Sequence, residues 1–338
     1  MKHNIRIAYL DYLRGIAIIF VVMGHLIQYN LNGESATDCF NFIYSYHMGF
    51  FFFVSGCTAT LSTNNYIWSN FFQFVKKRSI QLLVPFFVWG GITLLLNKQV
   101  GGADYVTNYL QILKYPDQSM WFLLFLFFMQ LVFFVCCALS GNIKKKIIRT
   151  MIILLSVVGV AAIRILKGLF VEGYTWIFED YYLLFCLGFF VQKMKWDSKL
   201  MKSLVFICFL LFVAVAPLFD FNQGGEYTMR MIKIVSSASF SVVLYYILVS
   251  TWNNISIRMS KLLAFLGTHT LEIYVTHYAL AIMLVTPLID VSMVNGIPLF
   301  FAVMAVSIPL CCLVIKISDV FKTIPLLAFL LYGKCNKQ

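Results

Sequence analysis

The chain has 338 residues, of which 61% are hydrophobic and only 12% are charged, and its mean hydropathy is +0.85. Soluble domains carry roughly 25% charged residues, so this composition excludes an ordinary soluble enzyme and indicates a surface that faces lipid. The net charge is +12, but basic residues of membrane proteins typically mark cytoplasmic loops, so we expect no nucleic-acid partner. The nine cysteines show no metal-ligand spacing, and we expect no metal site.

Apolar runs of about 20 residues, the length that crosses a bilayer as a helix, recur along the whole chain. They predict ten spans, at about 9–30, 43–63, 79–97, 120–139, 147–166, 181–192, 202–219, 231–250, 265–289 and 297–316. The sequence therefore predicts an all-α, polytopic integral membrane protein with about ten transmembrane helices. We expect a single transmembrane domain over residues 1–338 and no separate soluble domain.

The basic residues are distributed unevenly between the two sides of the predicted bundle. One side holds nineteen of the 26 Lys and Arg residues, the other holds six, and Arg14 lies inside the first span. The nineteen are Lys2, Arg6, Lys76, Lys77, Arg78, Lys144, Lys145, Lys146, Arg149, Lys193, Lys195, Lys199, Lys202, Arg258, Lys261, Lys316, Lys322, Lys334 and Lys337. Because positive charge favours the cytoplasmic side, both termini are predicted to be cytoplasmic.

The first span carries three ionisable residues, which are costly in a membrane and therefore candidates for function. They are Asp11, Arg14 and His25. His25 is the eleventh residue after Arg14. On a helix this spacing gives about 20° of offset and about 16 Å of rise, so both residues share one face. Asp11 precedes Arg14 by three residues and can pair with it. Purely structural roles are the alternatives to function: Arg14 as an anchor that extends its charge to the membrane surface, and His25 as a partner in an interhelical hydrogen bond.

Two later spans also carry ionisable residues. His47 lies in the second span, which runs in the opposite direction, so its depth should resemble that of His25. The ninth span contains Glu272 and His277, about 140° apart around a helix. A carboxylate in an apolar run needs a partner, and Arg14 is the obvious candidate. A purely structural ion pair between the first and ninth helices is an equally good interpretation of Glu272.

A basic patch precedes the third span, where Lys77 and Arg78 follow Lys76. Clustered cations can hold the phosphates of a cytoplasmic cofactor. They also act as topology signals and contact lipid headgroups, which is the simpler interpretation for most of them. Arg78 is the strongest candidate for phosphate binding because it lies directly at the start of the third span.

Taken together, these segments resemble the membrane acyltransferase family 3. The run from Leu10 to Ala17 followed by His25 resembles the family's first helix, in which a basic residue and a histidine are separated by ten residues. His47 with Phe51–Gly56 resembles the second helix. Further resemblances are Lys77-Arg78 followed by Leu82–Phe86, the run Trp121-Phe122-Leu123, and Leu271–His277. The likeness covers about residues 6–280, and the ordered set is specific although each part alone is weak.

The resemblance implies ten core helices in the inner membrane of a bacterium and an acyl-CoA donor. Members of the family acylate sugars of surface glycans, usually with acetyl and sometimes with succinyl groups. By this resemblance the chain is an O-acyltransferase that moves an acyl group, acetyl in the simplest case, from cytoplasmic acyl-CoA to a hydroxyl of a saccharide or glycolipid. His25 would act as general base, with a transient acyl-histidine as an open alternative.

The remaining candidates have supporting roles in this hypothesis. Asp11 or Glu272 would hold Arg14, and His47 and His277 would orient substrate or tune His25. Arg14, Arg78 and Lys77 would contact the donor phosphates, and Trp121 belongs to the same donor- or substrate-binding group. Two other classes stay open: a transporter or proton-coupled carrier, which also needs buried Arg, Glu and His, and a receptor or scaffold without chemistry. No repeat symmetry between the two halves is visible, which weakens the transporter hypothesis.

Overall fold

A computed structural model describes residues 8–30, 38–96, 109, 120–141, 146–163, 175–196, 198–282 and 296–334. Within these ranges the chain contains helices, turns and bends and no strand, which confirms the all-α class. Short 3₁₀ segments connect several helices, and two π-helical segments occur at Ser79–Leu83 and His277–Ile282.

The helices in chain order are α1 (Ala8–Asn30), α2 (Asp38–Tyr44), α3 (His47–Ala59), α4 (Phe71–Arg78), α5 (Val84–Leu96), α6 (Trp121–Ser140), α7 (Lys146–Ile163), α8 (Thr175–Gln192), α9 (Lys199–Val215), α10 (Tyr227–Thr251), α11 (Ile257–Thr268), α12 (Thr270–Thr276), α13 (Gly296–Lys322) and α14 (Pro325–Tyr332). Each predicted span overlaps at least one of them. The second span is interrupted at Ser45 and Tyr46, and residues 283–289 of the ninth lie outside the described part of the chain. Helix α14 was not predicted.

Six stretches in the described residues are long and apolar enough to cross a membrane, by length and composition. They are Ala8–Gln28, Trp68–Leu95, Trp121–Ser140, Lys199–Leu218, Tyr227–Thr251 and Gly296–Lys322. Two shorter apolar stretches lie at Thr150–Val160 and Asp180–Gln192. The described helices thus include six candidate membrane spans, whereas ten crossings and cytoplasmic termini stay predictions.

Exposed apolar side chains mark the surface that faces lipid. Along α9, Phe206 is 60% exposed and Val213 is 54% exposed. A soluble protein rarely exposes such a continuous apolar face, because water would have to cover it. In a bilayer the same face has no such cost, since all backbone groups of the helix are satisfied internally.

The described residues form two compact units. The first unit comprises Met1–Thr60 and Leu187–Ile317, and the second comprises Leu61–Cys186 and Ser318–Gln338. In the first unit, α1 is the central helix and packs against α2, α3, α10, α11 and α12. In the second unit, α6 packs against α7, and α5 packs against α14, where the Trp89 indole N–H donates to the Leu331 carbonyl at 2.9 Å.

Glycines allow α1 and α11 of the first unit to approach closely. A Cβ added at Gly15 would overlap the Leu263 carbonyl oxygen, and one added at Gly267 would overlap the Asp11 carbonyl oxygen. Small residues at such crossings let helix backbones touch, which is the main source of helix association in lipid. This crossing places α11, and α12 after it, directly against the helix that carries Arg14 and His25.

We therefore expect Gly267→Ala to destabilise the protein by about 1–3 kcal/mol, because one methyl group must force the two backbones apart. Thermal unfolding of the purified protein in detergent measures the effect as a lowered Tm. The matched control is Gly159→Ala on α7, where an added Cβ meets nothing within 4 Å. The control should be neutral or slightly stabilising, since alanine is the better helix former. Equal Tm values for the two variants would contradict the close crossing.

Candidate active site

The Arg14 end of α1 carries an ion pair. Arg14 Nη1 lies 3.2 Å from Asp11 Oδ1, as the three-residue spacing predicts. The Asp11 side chain is 6% exposed, whereas the Arg14 side chain is 36% exposed. Asp11 thus holds one edge of the guanidinium group from a buried position, and a third of the Arg14 side chain remains accessible to a ligand.

His25 lies three turns further along α1 and contacts residues of the ninth predicted span. Its ring centroid is 5.3 Å from that of His277 and 6.3 Å from that of Tyr278. The Gln28 side chain, on the next turn, forms a hydrogen bond with His25. Gln28 Oε1 in turn accepts a hydrogen bond from the Tyr44 hydroxyl at 2.8 Å. His25 is therefore held between an aromatic contact on one side and a polar chain that leads to α2 on the other.

His47 owes its position to the interruption between α2 and α3. Tyr46 leaves the helical region with φ −139° and ψ −25°, which frees carbonyl groups at the end of α2. His47 Nδ1 lies 3.0 Å from the Ile43 carbonyl oxygen, and the Ser237 hydroxyl donates to the Ser45 carbonyl at 3.1 Å. The buried His47 ring also packs against Tyr44, with 4.5 Å between centroids, and interacts electrostatically with His25.

The hydrogen bonds of His277 determine which of its nitrogens carries the proton. His277 is 2% exposed, and its Nδ1 lies 2.8 Å from the Ile273 carbonyl oxygen. A carbonyl oxygen only accepts, so Nδ1 is the donor and Nε2 of the neutral ring keeps its lone pair. In the described residues, buried Nε2 has no hydrogen-bond partner. His277 thus presents a proton-accepting atom on the ring that contacts His25, at the first residue of a π-helical segment.

Glu272 is 1% exposed on α12, one turn before His277. Helix α12 packs against α1, so Glu272 belongs to the same unit and the same helix pair as Arg14. Its proposed pairing with Arg14 stays a prediction.

Lys77, Arg78 and Trp121 belong to the second unit. Arg78 interacts with three neighbouring side chains. Its Nη1 donates to Gln81 Oε1 at 3.1 Å, and its guanidinium carbon lies 5.7 Å from the Phe74 ring centroid. It also forms a hydrogen bond with Tyr66. The π-helical segment Ser79–Leu83 begins directly after it. Lys77 is exposed. The Trp121 ring stacks on Tyr181 with 5.7 Å between centroids.

Sequence reasoning missed several polar residues around the histidines. Arg230 is only 5% exposed on α10. Lys233, on the next turn, lies 5.6 Å from the Phe219 ring centroid and interacts electrostatically with His47. The sequence pattern that could have identified them is a polar helical face. It combines these two cations with Ser237 and Ser241 at spacings of three and four residues. Gln28 and Tyr44 carried no comparable signal.

Among the described residues, no group of three or more His, Cys, Asp and Glu side chains is arranged to hold a metal ion. What the first unit brings together is a set of histidines and neutral hydrogen-bonding groups: His25, His47 and His277 with Gln28 and Tyr44. Such a set can accept, hold and pass a proton.

Comparisons with known proteins identify the family of the chain. A family model described as an acyltransferase domain matches residues 7–316, which include parts of both units. Two curated relatives are both called nodulation protein NolL. The one from Mesorhizobium japonicum is 26% identical over 227 residues, which cover 64% of this chain and 56% of the relative. The one from Sinorhizobium fredii is 35% identical over 83 residues, 23% of this chain and 22% of the relative. The chain thus spans about half the length of the first relative, and no solved structure matches it significantly.

Proposed function

Since the chain belongs to the membrane acyltransferase family 3, we propose that it is an acyl-CoA-dependent O-acyltransferase of the bacterial inner membrane. The acyl group is acetyl in the simplest case, and the acceptor is a hydroxyl of a saccharide or glycolipid. The observation that supports this proposal most directly is the 5.3 Å contact between the His25 and His277 rings. The two rings lie in the same unit as the Asp11–Arg14 pair, and they provide proton-accepting groups in an apolar bundle.

In the proposed reaction His25 is the general base. It removes the proton of the acceptor hydroxyl while the oxygen attacks the thioester carbonyl carbon. The carbon–sulfur bond then breaks, and CoA leaves as a thiolate that takes the proton back from His25, so the products are an ester and CoA thiol. His277, whose ring lies 5.3 Å from that of His25, orients the substrate or tunes His25. His47, tied to the backbone at Ile43, orients the acceptor.

The proposal that acyl-CoA binds from the cytoplasm rests on the distribution of basic residues. We assign ten crossings with both termini in the cytoplasm, because nineteen of 26 basic residues then lie on that side. Arg14 contacts the CoA phosphates, since a guanidinium group matches phosphate oxygens in a planar, two-bonded geometry. Asp11 and Glu272 hold Arg14 in place. Arg78, Lys77 and Trp121 are further proposed donor contacts, with Arg78 already oriented by Gln81 and Phe74.

Sealed membrane vesicles test the activity and the donor side together. Inverted vesicles that contain the protein should release CoA thiol from added acetyl-CoA, because their cytoplasmic face points outward. Right-side-out vesicles should release none until detergent opens them. Vesicles without the protein are the control for other thioesterases.

A transporter or receptor would release no thiol in either orientation, which would overturn the proposed activity. Release from right-side-out vesicles alone would leave the activity in place but reverse the topology.

A further inference from the structure

A cavity of about 670 Å³ lies in the first unit, formed by α2, the segment after α9 and the start of α13. Its lining includes Asp38, Cys39, Asn41 and Phe42 from α2, together with Phe219 and Phe300. Helix α2 contacts α1 at its C-terminal end, where Tyr44 meets Gln28. The cavity therefore lies toward the end of α1 that is remote from Arg14, and none of the predicted site residues line it.

The wall contributed by α2 combines apolar and polar groups on one helix face. Asp38, Asn41 and Phe42 share that face because they are spaced by three and four residues. Asn41 Oδ1 accepts a hydrogen bond from the Phe221 backbone N–H at 3.0 Å, so the orientation of the amide is set and its NH₂ group remains to donate. Asp38 adds carboxylate oxygens, with no salt-bridge partner among the described residues.

Contacts between side chains connect the cavity walls with the histidines. Tyr44, three residues after Asn41, packs against His47 and hydrogen-bonds Gln28, the partner of His25. Phe219 lies 5.6 Å from the ammonium group of Lys233, which interacts electrostatically with His47. His25 itself lies five residues before the end of α1, which is about 8 Å along the axis. The cavity and the proposed general base thus lie toward the same end of α1.

We propose that this cavity binds the sugar ring of the acceptor, an inference that rests on the proposed acyltransferase function. Pockets for small ligands usually measure about 300–1,000 Å³ and combine apolar walls with a few placed polar groups. Sugar rings have apolar faces of C–H groups, which pack on aromatic rings such as Phe42, Phe219 and Phe300. Their hydroxyl groups donate to carboxylates and accept from amides, which are the groups of Asp38 and Asn41. Among the described residues that line the cavity, Asp38 carries the one carboxylate, which favours neutral sugars over uronic acids because two anions would repel each other.

Cys39 provides a test that does not depend on catalysis. Its reaction with methyl methanethiosulfonate in the purified protein can be followed by mass spectrometry of the modified peptide. Methyl β-D-glucopyranoside should slow the reaction at Cys39, and methyl β-D-glucuronide should slow it less. Asp38→Asn should weaken protection by the neutral glycoside about tenfold or more, since it loses a hydrogen bond to a charged group. Asp38→Asn should also reduce the difference between the two glycosides in how strongly they protect Cys39.

The matched control is Glu226→Gln, which removes the same charge from an exposed residue that precedes α10 and does not line the cavity. Its protection pattern should equal that of the unchanged protein. Unchanged reaction of Cys39 with every glycoside would overturn the proposal and leave the cavity to an apolar occupant such as a lipid chain. No reaction at Cys39 in the free protein would overturn it too, because the cavity would then be closed. Both results are compatible with CoA release from vesicles, whereas loss of that release would overturn the acyltransferase proposal itself.

Discussion

His25→Gln should lower acyl transfer by about 10²–10⁴-fold, the usual contribution of a general base. Glutamine keeps hydrogen-bonding capacity, so it can maintain the contact with Gln28, but it cannot accept a proton at neutral pH. Binding of acyl-CoA should remain nearly unchanged, because the base is not a phosphate ligand. CoA release and CoA binding by the purified variant measure the two effects separately.

His47→Gln and His277→Gln are the comparisons for this variant. Both make the same substitution in the same unit, at histidines that are 2% exposed and whose Nδ1 donates to a backbone carbonyl, whereas His25 is half-buried. We expect smaller losses for both, since His47 orients the acceptor and His277 acts through His25. Near-normal turnover in His25→Gln, or a loss explained wholly by weaker binding, would remove His25 from the catalytic role.

Arg14→Lys should lower kcat/KM for acyl-CoA by about 10- to 100-fold while the protein still inserts and folds. Lysine keeps the charge but loses the planar group that bonds Asp11 and a phosphate at the same time. A hydrogen bond to a charged group contributes about 1.5–3 kcal/mol, which corresponds to this range. The measurement is steady-state CoA release as a function of acyl-CoA concentration.

Arg258→Lys is the matched control, because it makes the same change at an exposed residue of α11 in the same unit. It should leave kcat/KM unchanged. If Arg14→Lys also behaves like the unchanged protein, Arg14 is a membrane-interface anchor and the donor phosphates bind elsewhere.

Features within a single helix were predictable from the sequence. The Asp11–Arg14 pair follows from a spacing of three residues, and the shared face of Arg14 and His25 follows from a spacing of eleven. The low charge content and long apolar runs were sufficient to predict a helical membrane protein. These properties depend only on the geometry of one helix and on the free energy of transfer into lipid.

Contacts between helices were only partly predictable. The apolar run from 43 to 63 has no proline, so periodicity alone predicted one continuous helix. The interruption at Ser45 and Tyr46 persists because His47 and Ser237 satisfy the freed carbonyl groups. Only the folded chain could show these partners, since Ser237 lies 192 residues away from Ser45.

The sequence by itself determined the all-helical class, the apolar segments that are candidates for membrane spans and the residues that are costly to bury there. The tertiary structure decided which of those residues meet. It placed His277 against the His25 ring, because Gly15 and Gly267 let α11 approach α1 and bring α12 after it. It also created the cavity beside α2, whose lining comes from three separate segments. The physical reason is that helical periodicity sets which residues share a face, whereas distances between faces depend on the size of every side chain at the crossing.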